Sequence, residues 1–169
     1  MLFRSALLDR FEGEYELIFK NYPLDNACNS GMPRPMHPYA CSAAFFSRCA
    51  AEQGKYWESL QFLFGYEGLE GEKSISDFNE NLILDGGRSV TLDQVGLREC
   101  LSSQRYLQKI QSEIAEGNRI GLTGTPSVWI NGKPSPSTSL ELLQKIFEEI
   151  VGHPANSAVT PDSSNIAHR

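Results

Sequence analysis

Long apolar runs, clustered basic residues and internal repeats are all missing from these 169 residues. No stretch approaches the roughly 18 to 20 apolar residues that a membrane-spanning helix needs, so a soluble chain is expected. The opening MLFRSALLDRFEGEYE does not read as a secretory signal, because Arg4, Asp9 and Arg10 break the run from Ser5 to Leu8. Either a cytoplasmic protein or a missing true start follows from that. Acidic residues outnumber basic ones 21 to 15, a net charge of -6. Phosphate binding needs clustered Lys and Arg, so nucleic acid is excluded and a neutral or unfolded protein is the expected partner. Without repeats, the whole reads as strand, helical block, strand and helix.

Apolar residues make up 40% of the chain, enough to bury one core at this length. The four cysteines are Cys28, Cys41, Cys49 and Cys100, and no two have C-x-x-C spacing. If Cys41 and Cys49 share a helix they stand roughly 12 Å apart along its axis, too far for a disulfide. Two pairings remain in an oxidising compartment, and 28 with 41 plus 49 with 100 closes the tighter loop. In a reducing compartment the same residues are small apolar fillers. Cys49 and Cys100 read equally as core residues or as a helix-to-helix staple. Cys28, His37 and Cys41 lack a fourth ligand, so no metal is expected.

Alternation in YELIFK, residues 15 to 20, predicts a strand ending at Asn21-Tyr22-Pro23; SALLDRF before it reads as a helix end. DNACNSGMPRPMHP holds Pro33, Pro35 and Pro38 with Gly31 and is a loop. From Pro38 the Ala-rich PYACSAAFFSRCAAEQG predicts a helix that places Tyr39, Ala43, Phe46 and Ala50 on one stripe and stops at Gly54. KYWESLQFLF predicts a second, mostly buried helix before a Gly- and Glu-rich break from Gly65 to Lys73. Further helices are expected at 76–84, closed by Asp85-Gly86-Gly87, then at 92–101 and 104–116. Thr91 and Gln94 have capping-box spacing for the second of these. SVWIN is a strand between Pro126 and the turn pair Asn131-Gly132, with a short returning edge at Lys133-Pro134. STSLELLQKIFEEIVG is the last helix, with Leu140, Leu143, Phe147, Ile150 and Val151 inward and Gly152 as its stop. Residues 153–169 have little to bury and read as a disordered tail. Trp57 and Trp129 are expected core aromatics. Glu52, Lys55 and Glu58 read as a solvated helix face.

Taken alone, Thr125-Pro126 is an ordinary loop before a strand. Gly121, Gly124, the strand and the Asn-Gly turn around it make it the strongest candidate site.

FKNYPLD, the cysteine and histidine positions around the Pro-rich loop, AAEQGKYWESLQFLF, CLSS and GLTGTPSVWINGK together resemble the DsbA-like branch of the thioredoxin superfamily, in the subgroup with paired extra cysteines. The likeness spans about residues 5 to 151. It implies an α/β thioredoxin-like fold over residues 1–152 with a helical insertion at about 38–117. It also implies thiol–disulfide exchange on unfolded or cysteine-containing proteins, no cofactor, an extracytoplasmic location and a membrane redox partner for the full-length protein. Gly124, Thr125 and Pro126 would bind substrate, with Pro126 after a cis bond, which proline adopts at roughly 0.5 to 1 kcal/mol. A cis turn there leaves backbone groups free to pair with an extended client. The family's first strand and C-x-x-C belong just ahead of residue 5, and the chain begins at Met1. The resemblance therefore implies an N-terminally truncated chain without its central first strand, inactive in exchange. The alternative expectations are a non-catalytic thioredoxin-like peptide-binding module and a relative of glutathione- or isomerase-type enzymes that uses the fold without cysteine nucleophiles.

Overall fold

The computed structural model describes residues 11, 13–65 and 79–152. Most of the SALLDRF helix end, the break after Gly65, the expected helix start at 76–78 and the tail at 153–169 lie outside the described residues. The chain divides into two compact units, residues 17–125 and residues 11–16 with 126–152.

Five helices build the larger unit: α1 (Ala40–Glu52), α2 (Tyr56–Gly65), α3 (Glu80–Ser89), α4 (Gln94–Ser103) and α5 (Leu107–Arg119). Helix α1 is rich in alanine because it is covered on two sides. Phe46, Cys49 and Ala50 pack with Ile83 and Leu84 of α3 and with Leu92, Leu97 and Cys100 at α4. Cys41, Ala44 and Phe45 pack with Cys28 and with Ile110 and Ile114 of α5. Small side chains let neighbouring helices approach from both directions. Tyr39, expected on the inward stripe, instead sits in the left-handed region before the first turn and is exposed. The helix ends as its Gly54 predicts: at φ +71 this residue closes a Schellman pair, with Gly54 N donating to Ala51 O and Lys55 N to Ala50 O. Helix α2 is amphipathic rather than mostly buried, since Ser59 and Leu60 are inside while Phe64 is exposed and Trp57 only half-buried.

Asp85-Gly86-Gly87 does not stop a helix. Asn79 caps α3 by accepting from Leu82 N at 3.2 Å, and the helix runs through both glycines to Ser89. A Cβ on Gly86 would overlap the Phe62 ring of α2, and one on Gly87 would overlap Leu97 of α4. Glycine in a helix interior costs up to about 1 kcal/mol, which close packing of α2 and α4 offsets. The capping box is also replaced. Asp93 caps α4, accepting from Val95 N and Gly96 N, while Thr91 stands at φ +59 and Gln94 Nε2 donates to Leu92 O. A carboxylate at the N-cap satisfies two orphan amides and favours the helix dipole. Expected bounds at 92–101 and 104–116 shift to 94–103 and 107–119.

The smaller unit holds β1 (Trp129–Ile130), β2 (Lys133–Pro134) and α6 (Leu140–Val151). The two strands pair antiparallel, Trp129 opposite Pro134 and Ile130 opposite Lys133. Between them Asn131 at φ 50 and Gly132 at φ 79 make the two left-handed steps of a type I′ turn. The expected strand SVWIN is thus cut to two residues, although Ser135 N still donates to Val128 O at 2.8 Å. Ser139 caps α6 by accepting from Leu142 N, and Gly152 ends it at φ 76. Leu143 is fully buried and Phe147 meets Phe11 and Tyr15, whereas Ile150 points outward against expectation. Trp129 is half-buried, not a core aromatic.

The strand expected at 15–20 does not form. Among the described residues the only sheet is the β1–β2 pair, and a strand without a neighbour has no ladder to join.

Candidate functional site

Each disulfide is closed as the tighter-loop pairing requires. Cys28 bonds Cys41 and Cys49 bonds Cys100, both with Cα atoms 5.8 Å apart. No cysteine is free. All four are buried, Cys49 and Cys100 at 1% exposure, so neither bridge offers a surface sulfur to a client. Cys49–Cys100 staples α1 to α4; Cys28–Cys41 pins the Pro-rich loop to the start of α1. With Cys28 and Cys41 bonded to each other, His37 has no thiolate beside it.

The loop before α1 is ordered by polar side chains. Asp25 accepts from Ala27 N at 3.0 Å and from Cys41 N at 3.3 Å, so one carboxylate shapes the turn and caps the helix. Asn29, 1% exposed, donates to Pro23 O and accepts from Gly31 N. Three prolines remove backbone donors along this stretch, and side chains supply the bonds that a regular element would.

Gly124, Thr125 and Pro126 are all exposed, and the space beside Gly124 is open. They follow α5 and precede β1, and the chain passes from the larger to the smaller unit between Thr125 and Pro126. Gly121 has a different role from the one expected. At φ +72 it stops α5, with Gly121 N donating to Asn118 O and Leu122 N to Gly117 O.

A buried ion pair escaped the sequence reading. Glu113 on α5 is 5% exposed and pairs with Arg48 of α1 and, at 3.6 Å, with Lys109. Its second oxygen accepts from Asn21 N at 2.9 Å and Asn21 Nδ2 at 3.1 Å. Burial pushes the Glu113 carboxyl up, but hydrogen bonds from Arg48 and the Asn21 amide together hold it below its ordinary range. Arg48 lies over the Tyr56 ring, 5.4 Å from its centre. Burial drives the Tyr56 hydroxyl up to about 12, against the opposing Arg48 charge and with some help from Glu113. Lys20 pairs with Glu116 at 2.5 Å and Tyr22 Oη donates to Asn118 Oδ1 at 2.6 Å. Residues 20–22 are thereby clasped along α5, where a Cβ on Gly117 would stand 2.7 Å from the Tyr22 ring. The signal available was an acid interrupting the stripe Ile110, Ile114 and Gly117, with an arginine in an otherwise apolar α1. The surface charges expected on α1 and α2 are placed as read: Lys55 pairs with Glu58, and Glu52 with Arg105.

The thioredoxin family model matches residues 6–149, and the chain belongs to that family. Its domain is thioredoxin-like, of mixed α and β content, mostly helical with a small two-stranded sheet. At the family level this is a fold of thiol–disulfide oxidoreductase type. The chain is also similar to Na(+)/H(+) antiporter NhaA 3 of Salinispora tropica, 31% identical over 130 residues, covering 77% of this chain and 17% of that protein. NhaA 1 of Salinispora arenicola is 30% identical over 98 residues, 58% of this chain and 14% of that one. NhaA 1 of Mycolicibacterium gilvum is 25% identical over 116 residues, 69% and 16% of the two chains. This chain therefore spans less than a fifth of the length of these curated relatives. No solved structure matches it significantly.

Proposed function

We propose that these residues form a DsbA-like module of the thiol–disulfide oxidoreductase family, working outside the cytoplasm and holding unfolded or cysteine-containing clients at Gly124, Thr125 and Pro126. One observation carries the reading: every cysteine is locked and buried in a disulfide while the 124–126 corner is exposed. In this reading the cysteines stabilise the fold and the corner, with Pro126 in cis, meets the client. Thiol chemistry needs an accessible thiolate, and this chain offers none, so the 169 residues are inactive in exchange by themselves. Two disulfides support an oxidising compartment. The antiporter names of the relatives support a place beside a membrane, whereas a membrane redox partner rests on the DsbA-like resemblance alone. Antiport itself does not transfer, since the match covers a small share of those proteins and no helix among the described residues is long and apolar enough to cross a bilayer.

The second reading, a non-catalytic peptide-binding module, draws on the same buried disulfides and differs only in having no redox partner. An amide-shift titration with an unfolded protein whose cysteines are blocked tests the shared claim. Shifts should centre on Gly124, Thr125 and Ser127, and the same sample should reduce insulin no faster than buffer. Shifts centred elsewhere would remove the binding site, and insulin turnover would overturn the inactivity.

A further inference from the structure

The two disulfides sit in different settings. Cys49 and Cys100, each 1% exposed, join α1 to α4 inside a cluster with Phe46, Ile83, Leu84, Leu92 and Leu97. A reductant reaches them only when two packed helices part. Cys28 and Cys41, 7% and 4% exposed, close the Pro-rich loop, and none of residues 30–40 between them is buried. Met36 N and His37 N both donate to Leu24 O, at 2.9 and 3.1 Å, while Asn29 accepts from Gly31 N and Met32 N. A segment that buries no side chain opens locally at far lower cost than a pair of packed helices. Tyr39 adds strain at the end of the loop. It stands at φ 70 directly before α1, a region that side chains disfavour, and its own side chain gives the helix no cap. Asp25, from the Cys28 side of the bridge, accepts from Cys41 N instead.

We propose that Cys28–Cys41 is a thiol-sensitive clasp: an external dithiol opens it and frees the Pro-rich loop, while Cys49–Cys100 stays closed. The loop opens first and bares Cys28, the more exposed of the two. A thiolate of the dithiol attacks Cys28 Sγ, the bond between Cys28 and Cys41 breaks, and Cys41 leaves with the electron pair and takes a proton from water. The second thiol of the reductant, having lost its proton, attacks the mixed disulfide. Cys28 then leaves as a thiolate and is protonated in turn, the dithiol is oxidised to its disulfide, and the protein has gained two electrons and two protons. With the bond gone, Tyr39 relaxes to the right-handed region, and Met36 and His37 let go of Leu24. The clasp is separate from the client corner, and it makes this bridge a target of exchange rather than a catalyst.

Timed reduction and alkylation of the full 169-residue chain tests this. In native buffer with dithiothreitol as the dithiol, peptide mapping should find Cys28 and Cys41 labelled by N-ethylmaleimide about tenfold faster, or more, than Cys49 and Cys100. Urea below the unfolding midpoint should speed the second pair far more steeply than the first, because parting α1 from α4 exposes more surface. In the chain reduced at the first bridge alone, hydrogen exchange at Met36 N and His37 N should quicken about tenfold while the α4 amides keep their protection. Bridges that open at one rate or not at all, or a loop whose exchange is unchanged by reduction, overturn the clasp.

Discussion

The helical block at 40–119 and the strand segments at 15–20 and 127–134 make opposite use of similar apolar content. In the block, each helix satisfies its own backbone, so side chains have only to cover α1 on its two sides. The strand segments have apolar alternation too, yet among the described residues they deliver one ladder of two residues a side, and 15–20 joins no sheet. A helix needs residues nearby in sequence, whereas a strand needs a neighbour that can be anywhere. Local bonding explains why one region is complete within these residues and the other is not.

The largest expected effect breaks the complete region. Replacing Cys49 and Cys100 together by alanine frees a loop of sequence separation 51 and should cost about 4 kcal/mol, against about 3 for Cys28 and Cys41 with separation 13. Denaturant unfolding followed by near-ultraviolet dichroism reads both. Equal losses would mean that burial at the two sites, not loop length, sets the difference.

Next in size is the ionic tie inside the same block. Glu113→Ala strands Arg48 and the Asn21 amide and should cost about 3 kcal/mol. Because the folded carboxyl titrates below its ordinary value of 4.5, its contribution is complete above that value and lost as pH falls through the folded value. Stability should therefore drop on acidification in the parent more steeply than in the Ala variant, and parallel acid profiles would refute the tie. The disulfide contributions should be flat across this range.

The smallest effect sharpens the strand side. Gly132→Ala forces a side chain into the left-handed step of the hairpin at about 1 kcal/mol. Hydrogen exchange at Ser135 N should quicken while the α1 amides stay as they were. Loss of protection across α1 instead would mean that the hairpin supports the helical block.

The sequence carried its helices well where glycine stops and apolar stripes are local signals, although the capping pair it offered, Thr91 with Gln94, gave way to Asp93. Gly54 and Gly152 end helices as read, and Ser139 caps α6. Gly86 and Gly87 failed as stops because what they meet, Phe62 and Leu97, is distant along the chain. The same limit hid the Arg48–Glu113 pair, whose members are 65 residues apart. Spacing favoured the observed pairing of the cysteines but left a second pairing and the reduced state open; Gly124, Thr125 and Pro126, read as a client-binding corner, are exposed, and Gly121 belongs to a helix end.

By itself the order of residues determined the helices, the Asn131-Gly132 turn and the preferred cysteine pairing, since each depends on neighbours or on chain length between two points. Tertiary structure decided which glycines are spacers, that Glu113 is buried, and that 15–20 joins no sheet among the described residues. Those outcomes rest on close packing, desolvation and inter-strand bonds, and none of the three exists until distant parts of the chain have met.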